Sequence, residues 1–298
     1  MKKIKDENIS LKSQIGEEES IWDLARRLAR HNKLAVVSAV VILLFILGAI
    51  FAPYLTPYKY SQMDIMHRLS PPSAAHLLGT DEGGRDILTR MLYGSRASLL
   101  IGVVPTLLSL VLGTLAGLVA GFTGGKLDAV IMRLADIMLA FPSMLLAMAI
   151  MYTLGDGMFN VFLTLILVNW AEVARIVRSG AIQLKQKEYI EAARVIGVPQ
   201  RTIIIRHILP NCIPTLIVLF TLTVPASILT ESSLSFLGLG IQPPGASWGL
   251  MVSKGRQYLY SAPWLSLAPS AAIMLIVLAF NFLGDGLRDV LDPFQKDG

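Results

Sequence analysis

Long apolar runs alternate with shorter polar stretches along this chain, and the run lengths set the first expectation. A helix needs about 20 mostly apolar residues to cross a bilayer. Runs of that order occupy residues 34–52, 97–122, 134–153, 159–173, 212–231 and 268–284. The fourth is the weakest, because Asn169, Trp170 and Glu172 crowd its end. The pattern predicts an all-α, polytopic membrane bundle of six transmembrane helices. The chain then divides into a tail (1–33), a first span with a long loop (34–96), a five-helix core (97–284) and a second tail (285–298). Within the core, a polar loop covers 174–211 and a Gly/Pro-rich loop covers 232–267.

Composition points the same way. Hydrophobic residues make up 54%, charged residues 16%, and the mean hydropathy is +0.60. Soluble domains carry about 25% charged residues. In the N-terminal tail, residues 1–19 have little to bury. Ser20 and Asp23 then form a capping-box pattern, and Ile21, Leu24, Ala25 and Leu28 share one helical face. With Trp22 and the arginines nearby, this predicts a short interfacial helix leading into the first span. A cleaved signal does not fit, since the polar tail is too long and no small-residue cleavage site follows.

Charge orients the bundle. With the side of the 174–211 loop called inner, six spans place both termini there. The inner segments hold nineteen Lys and Arg, and the other side holds seven of the 26. That is the positive-inside asymmetry, so both termini are expected in the cytoplasm. The net charge of +5 reflects orientation and attraction to anionic lipid rather than a nucleic-acid partner.

The chemistry-bearing residues are sparse. Cys212 is the only cysteine, so no intrachain disulfide forms. His31, His67, His76 and His207 are scattered with no i,i+4 pair, which argues against a metal site. A phosphate-binding GxxxxGK[ST] loop is absent. Its nearest approach runs from Ala120 to Leu127, where Ala replaces the first Gly and Leu replaces the hydroxyl. No nucleophile–base pair sits in the spans. An enzyme or self-powered pump is disfavoured, and no cofactor is expected in this chain.

Several local patterns remain. Gly113, Gly117 and Gly121 recur every four residues and predict a groove for another helix. Pro105, Pro142, Pro214 and Pro225 interrupt helices and supply bends. Arg133 and Asp136 are one turn apart and read as a self-paired couple, as do Glu172 and Arg175. Around residues 76–99, Gly79, Gly83 and Gly84 allow tight turns, and Asp81, Arg85 and Asp86 pair locally. In the loop at 232–267, Phe236, Leu237, Leu239 and Trp248 are expected to pack as a re-entrant or capping element.

The most informative stretch is EYIEAARVIGVPQRTIIIRHILPN, from Glu188 to Asn211. Helix formers lead to Gly197, which takes the left-handed conformation cheaply and ends the helix. Pro199 then suits the first turn of a second helix. Two short helices on a Gly elbow make a protruding knob, and Ala192 and Ala193 keep one of its faces thin. Glu191, Ala192, Ala193, Gly197, His207, Leu209 and Pro210 resemble the "EAA" loop of bacterial ABC importer permeases. The GTDEGGRD, FLGLGIQPPGASWG and NFLGDGLRDVLDP segments are similar to its oligopeptide/dipeptide/nickel branch, and to the second, C-type permease subunit there. The broad family carries an aliphatic residue where this chain has His207; the branch often carries His.

The resemblance covers roughly residues 30–293. It implies a type I ABC importer-like fold in a bacterial inner membrane and an ATP-driven import function. Peptides are the expected solutes, with nickel or a metallophore as the alternative in the same family. It further implies that the elbow couples to one or two cytoplasmic ATPase subunits, which carry ATP and Mg. A second homologous permease and an extracytoplasmic solute-binding protein complete the complex. An autonomous channel or secondary transporter is the rival class, and it gives no reason for the Ala-Ala loop.

Overall fold

A computed structural model describes Leu28 and residues 32–291 of the chain. The polar tail, the interfacial helix apart from Leu28, and the final Asp-Pro of the closing motif lie outside the described residues. Within them the chain is helical, with one isolated antiparallel bridge, Thr80 to Asp86.

Ten α-helices follow in order. They are α1 (Lys33–Leu55), α2 (Ile87–Thr123), α3 (Gly125–Leu139), α4 (Ser143–Leu154), α5 (Met158–Lys185) and α6 (Glu188–Val195). Then come α7 (Gln200–Ile203), α8 (Leu209–Phe236), α9 (Trp248–Gly255) and α10 (Trp264–Leu291). A π-helical turn, Ile204–Ile208, joins α7 to α8, so the chain runs helical from Gln200 to Phe236. Five helical stretches are long and apolar enough to cross a membrane.

The third expected span is not a straight helix. α3 and α4 meet at 91°, so the apolar run 134–153 is a broken pair. Pro142 explains the break. It disfavours helical geometry at Phe141 and supplies no N–H to continue α3. The 174–211 loop also differs from expectation, since α5 continues to Lys185 and the next long helical stretch begins at Gln200, leaving 186–199 between them. Likewise α8 extends to Phe236, past the predicted loop start at 232.

The helices pack around two seams. One is α2 on α5, the most extensive pair in the bundle. The other joins α10 to α1, α8 and α9. α2 starts from a side-chain cap: the Asp86 carboxylate accepts from the Thr89 N–H at 2.8 Å and its hydroxyl at 2.7 Å. Such a cap satisfies helix N–H groups that have no partner within the helix. At the other end of the bundle, Leu110, Leu118 and Phe122 of α2 share a core with Val177, Ala181, Ile190, Ala193, Ile203 and Ile208. We call these the clasp end and the elbow end.

Candidate functional site

The elbow is built as the chain chemistry requires. α6 ends in a Schellman motif: Val198 N–H donates to the Ala193 carbonyl at 3.0 Å, and Gly197 N–H to Arg194 at 3.0 Å. Gly197 lies between them at φ +81°, with open space where a side chain would go. Pro199 is the residue that caps α7 rather than its first helical residue, and its carbonyl accepts from Thr202 at 2.9 Å.

The two alanines do different jobs. Ala192 is exposed, whereas Ala193 is buried beside Ile190 in the core shared with α2 and α5. The thin face expected to carry both is therefore carried by Ala192 alone. Ile190 and Ala193 are one turn apart, so they share the inward face. Glu191 is exposed on the outward side. The tip itself is apolar: Val195 is 87% and Ile196 78% accessible. Sequence reasoning missed this pair; two aliphatic residues directly before the Gly break were the available sign. His207 lies in the π turn, its ring centroid 6.3 Å from that of Tyr189 on α6. The wider turn accommodates Pro210, which has no N–H for a carbonyl four residues back. Asn211 donates through its side-chain amide to the His207 carbonyl at 2.5 Å. Leu209 packs against the elbow core, and Pro210 is exposed.

Phe122, at the end of α2, anchors the elbow. Lys185 Nζ donates to its carbonyl at 2.7 Å, and the Arg194 guanidinium lies 5.0 Å from the ring centroid.

The glycine groove brings α2 onto α5. A Cβ on Gly113 would lie 2.5 Å from Val173 Cβ, one on Gly117 2.5 Å from the Ala174 carbonyl oxygen, and one on Gly121 2.7 Å from the Arg178 oxygen. All three positions leave room for backbone and nothing more. Arg178 then grips Asp128 of α3 through two bonds of 2.5 and 2.6 Å. Arg175 pairs with Asp136 at 2.7 Å. The expected couples Arg133–Asp136 and Glu172–Arg175 are therefore not formed. Both couples lie within one helix, whereas the pair that forms, Arg175 with Asp136, joins α5 to α3.

At the clasp end, the 76–99 segment holds itself together. Asp81 Oδ2 accepts from Arg85 at 2.7 Å and lies 3.4 Å from Arg90, while Asp86 lies 3.0 Å from His76 Nδ1. All of these groups but His76 are buried. His67 bonds Asp64 at 2.8 Å, and that bond holds the Asp64 carboxyl below its usual value. His67 and His76, nine residues apart, flank one cavity of about 500 Å³ with Tyr58 and Gln62. Among the described residues, no three His, Cys, Asp or Glu are placed to hold a metal.

In the 232–267 segment, Trp248 is fully buried. Its backbone N–H donates to Ser98 Oγ at 3.1 Å, its indole N–H to the Met91 carbonyl at 3.2 Å, and it meets Phe45 edge-on. Leu239 is partly buried. Phe236 and Leu237, expected to pack with them, stay exposed, and the Arg256 guanidinium lies 4.7 Å from the Phe236 ring centroid.

Comparison with known proteins places this architecture. Residues 113–297 match the family described as binding-protein-dependent transport system inner membrane component. Residues 20–72 match the N-terminal TM domain of oligopeptide transport permease C. The dipeptide transport system permease protein DppC of Alkalihalophilus pseudofirmus is 47% identical over 93% of this chain and 91% of its own length. OppC, the oligopeptide transport system permease protein of Escherichia coli K12, is 44% identical over 97% of this chain and 96% of its own. The glutathione transport system permease protein GsiD of Pectobacterium atrosepticum is 45% identical over 91% and 90%. A chain from inward-facing structures of the MetNI methionine ABC transporter shares the fold, with TM-score 0.54, 18% identity, 68% of this chain and 96% of that one. With its bent α3–α4 pair, glycine-seamed bundle and matches along nearly its whole length, the chain belongs to the inner-membrane permeases of binding-protein-dependent ABC importers.

Proposed function

We propose that this chain is the C-type permease subunit of an ATP-driven peptide importer and forms half of the translocation pathway. The observation that carries the reading is the elbow. An exposed apolar tip, Val195 and Ile196, stands on a Schellman-closed turn bolted to α2 through Phe122. Exposed apolar surface on a rigid knob is what a docking partner covers. In this reading the partner is a cytoplasmic ATPase subunit, one or two per complex, carrying all of the ATP and Mg chemistry. A second, homologous permease supplies the other half of the pathway, and an extracytoplasmic solute-binding protein delivers the solute.

The elbow, and both chain termini, then face the cytoplasm, in keeping with the excess of Lys and Arg on that side. The choice of peptide follows the names of the relatives, which carry dipeptide, oligopeptide and glutathione. The test is purification of the chain with its neighbours and reconstitution into vesicles. An ATPase subunit must co-purify, and labelled di- or oligopeptide must accumulate only with ATP. Recovery of the chain without any ATPase would overturn the reading. ATP-dependent uptake of nickel complexes in place of peptides would shift it to the metal branch.

A further inference from the structure

Glu231 is the only carboxyl, and the only side chain of an Asp, Glu, Lys, Arg or His, in α8, and it is fully buried. It lies 22 residues beyond Leu209 in that helix, about 33 Å along the axis, and so near the clasp end. One carboxyl oxygen, Oε1, accepts from Ser235 Oγ at 2.7 Å and from Ser247 Oγ at 2.9 Å. The other, Oε2, has no partner among the described residues. It faces Gly249, where a Cβ would lie 3.0 Å from it and 2.6 Å from Ser232 Cα. Ser247 also caps α9, since its Oγ accepts from the Leu250 N–H at 3.1 Å. A single carboxyl thus ties the start of α9 to the body of α8.

Among the described residues, no cation pairs with this carboxyl. On α2, Arg90 is engaged by Asp81, and Arg96 by the Ala49 and Ile50 carbonyls. On α9, Lys254 flanks a small cavity with Asp81, Glu82 and Arg85. The charged groups of α10, Asp285, Arg288 and Asp289, and those of α5 from Glu172 onward, lie toward the elbow end. An isolated buried carboxylate is far costlier than a buried neutral acid.

We propose that Glu231 is a positioning residue of the transport machinery: as the uncharged acid it pins α9 to α8 and fixes how the clasp end of the bundle closes. The proposal rests on the permease reading only in assuming that this end opens and closes. Gly249 leaves the space that lets the two helices meet at the carboxyl, and Ser98 with Trp248 ties α9 to α2 on its other side.

The test uses the assembled complex in vesicles. Difference infrared spectra of wild type against Glu231→Gln should show the carbonyl band of a protonated carboxylic acid, lost in the variant. Gln keeps the shape without a charge, so it should transport at near the wild-type rate. Glu231→Ala leaves buried hydroxyls unpartnered and should lose roughly ten-fold or more. If Glu231→Ala fails to assemble, Ser247→Ala tests the link from the other side and should reduce transport more than Ser235→Ala, which spares the contact with α9. The proposal is overturned by an ionised carboxylate band, by Gln behaving as badly as Ala in an intact complex, or by Ala or Ser247→Ala transporting normally. The infrared result needs no transport, so it stands or falls apart from the peptide reading.

Discussion

Val198 and Ala193 are joined across Gly197 by a 3.0 Å backbone hydrogen bond, and this bond sets the angle between α6 and α7. Ala193 is simultaneously part of the core under α2 and α5. The turn is therefore fixed both by its own backbone and by the bundle beneath it.

Substitutions at Gly197 separate backbone strain from crowding. A side chain there meets nothing within 4 Å, so only φ +81° penalises it. Left-handed backbone costs an ordinary L residue roughly 1–2 kcal/mol, and Asn tolerates it better. Gly197→Asn should be mild, Gly197→Ala intermediate and Gly197→Val most severe. Stimulated ATPase rates of the reconstituted complex should follow that order; equal rates for all three would show that the elbow angle is unimportant.

The two alanines should give opposite phenotypes. Ala192→Arg and Ile196→Asp change exposed positions, so they should leave the chain as heat-stable as wild type and reduce ATPase co-purification. Ala193→Arg drives a charge into the elbow core and should lower stability and yield first. Thermal melts and pull-downs on the same preparations distinguish the outcomes. A stable Ala193→Arg protein with lost partner binding would reverse the assignment of faces.

Gly117→Leu should disrupt the α2–α5 seam. Even its Cβ would lie 2.5 Å from the Ala174 carbonyl oxygen and 2.8 Å from Val177 Cβ. Overpacking of this kind costs about 1–3 kcal/mol. The melting temperature in detergent should fall, and Gly117→Ala should fall less. Unchanged melting for Leu would mean the seam can slide apart freely.

Cysteine labelling maps the orientation. Cys212 is free and buried, so a Cys212→Ala background removes the one native thiol. Single cysteines at Ser73 and Lys254 should react with an impermeant reagent added outside intact cells, and one at Lys187 only after permeabilisation. External labelling at Lys187 would invert the topology.

Much of the bundle was legible because burial in lipid leaves continuous apolar runs, and charge marks their ends. What escaped was whatever depends on one helix facing another. The run 134–153 reads as a span at every position, and only Pro142 hinted at the 91° break. Asp136 was assigned to its neighbour Arg133, yet its partner Arg175 is 39 residues away. The elbow was legible through Gly197, whose turn is a local matter. The inward face of Ala193 shows in the sequence only through Ile190, three residues earlier.

α2 has a consequence for how the protein handles force. It is one continuous 37-residue helix, starting at the Asp86 cap and ending one residue beyond Phe122. At 1.5 Å per residue that is a rod of roughly 55 Å. The elbow is fastened to one tip and the buried Asp81–Arg85–Arg90 cluster to the other. A pull on the knob is therefore carried along a single helix to the clasp end, as in a tie-rod clamped at both ends.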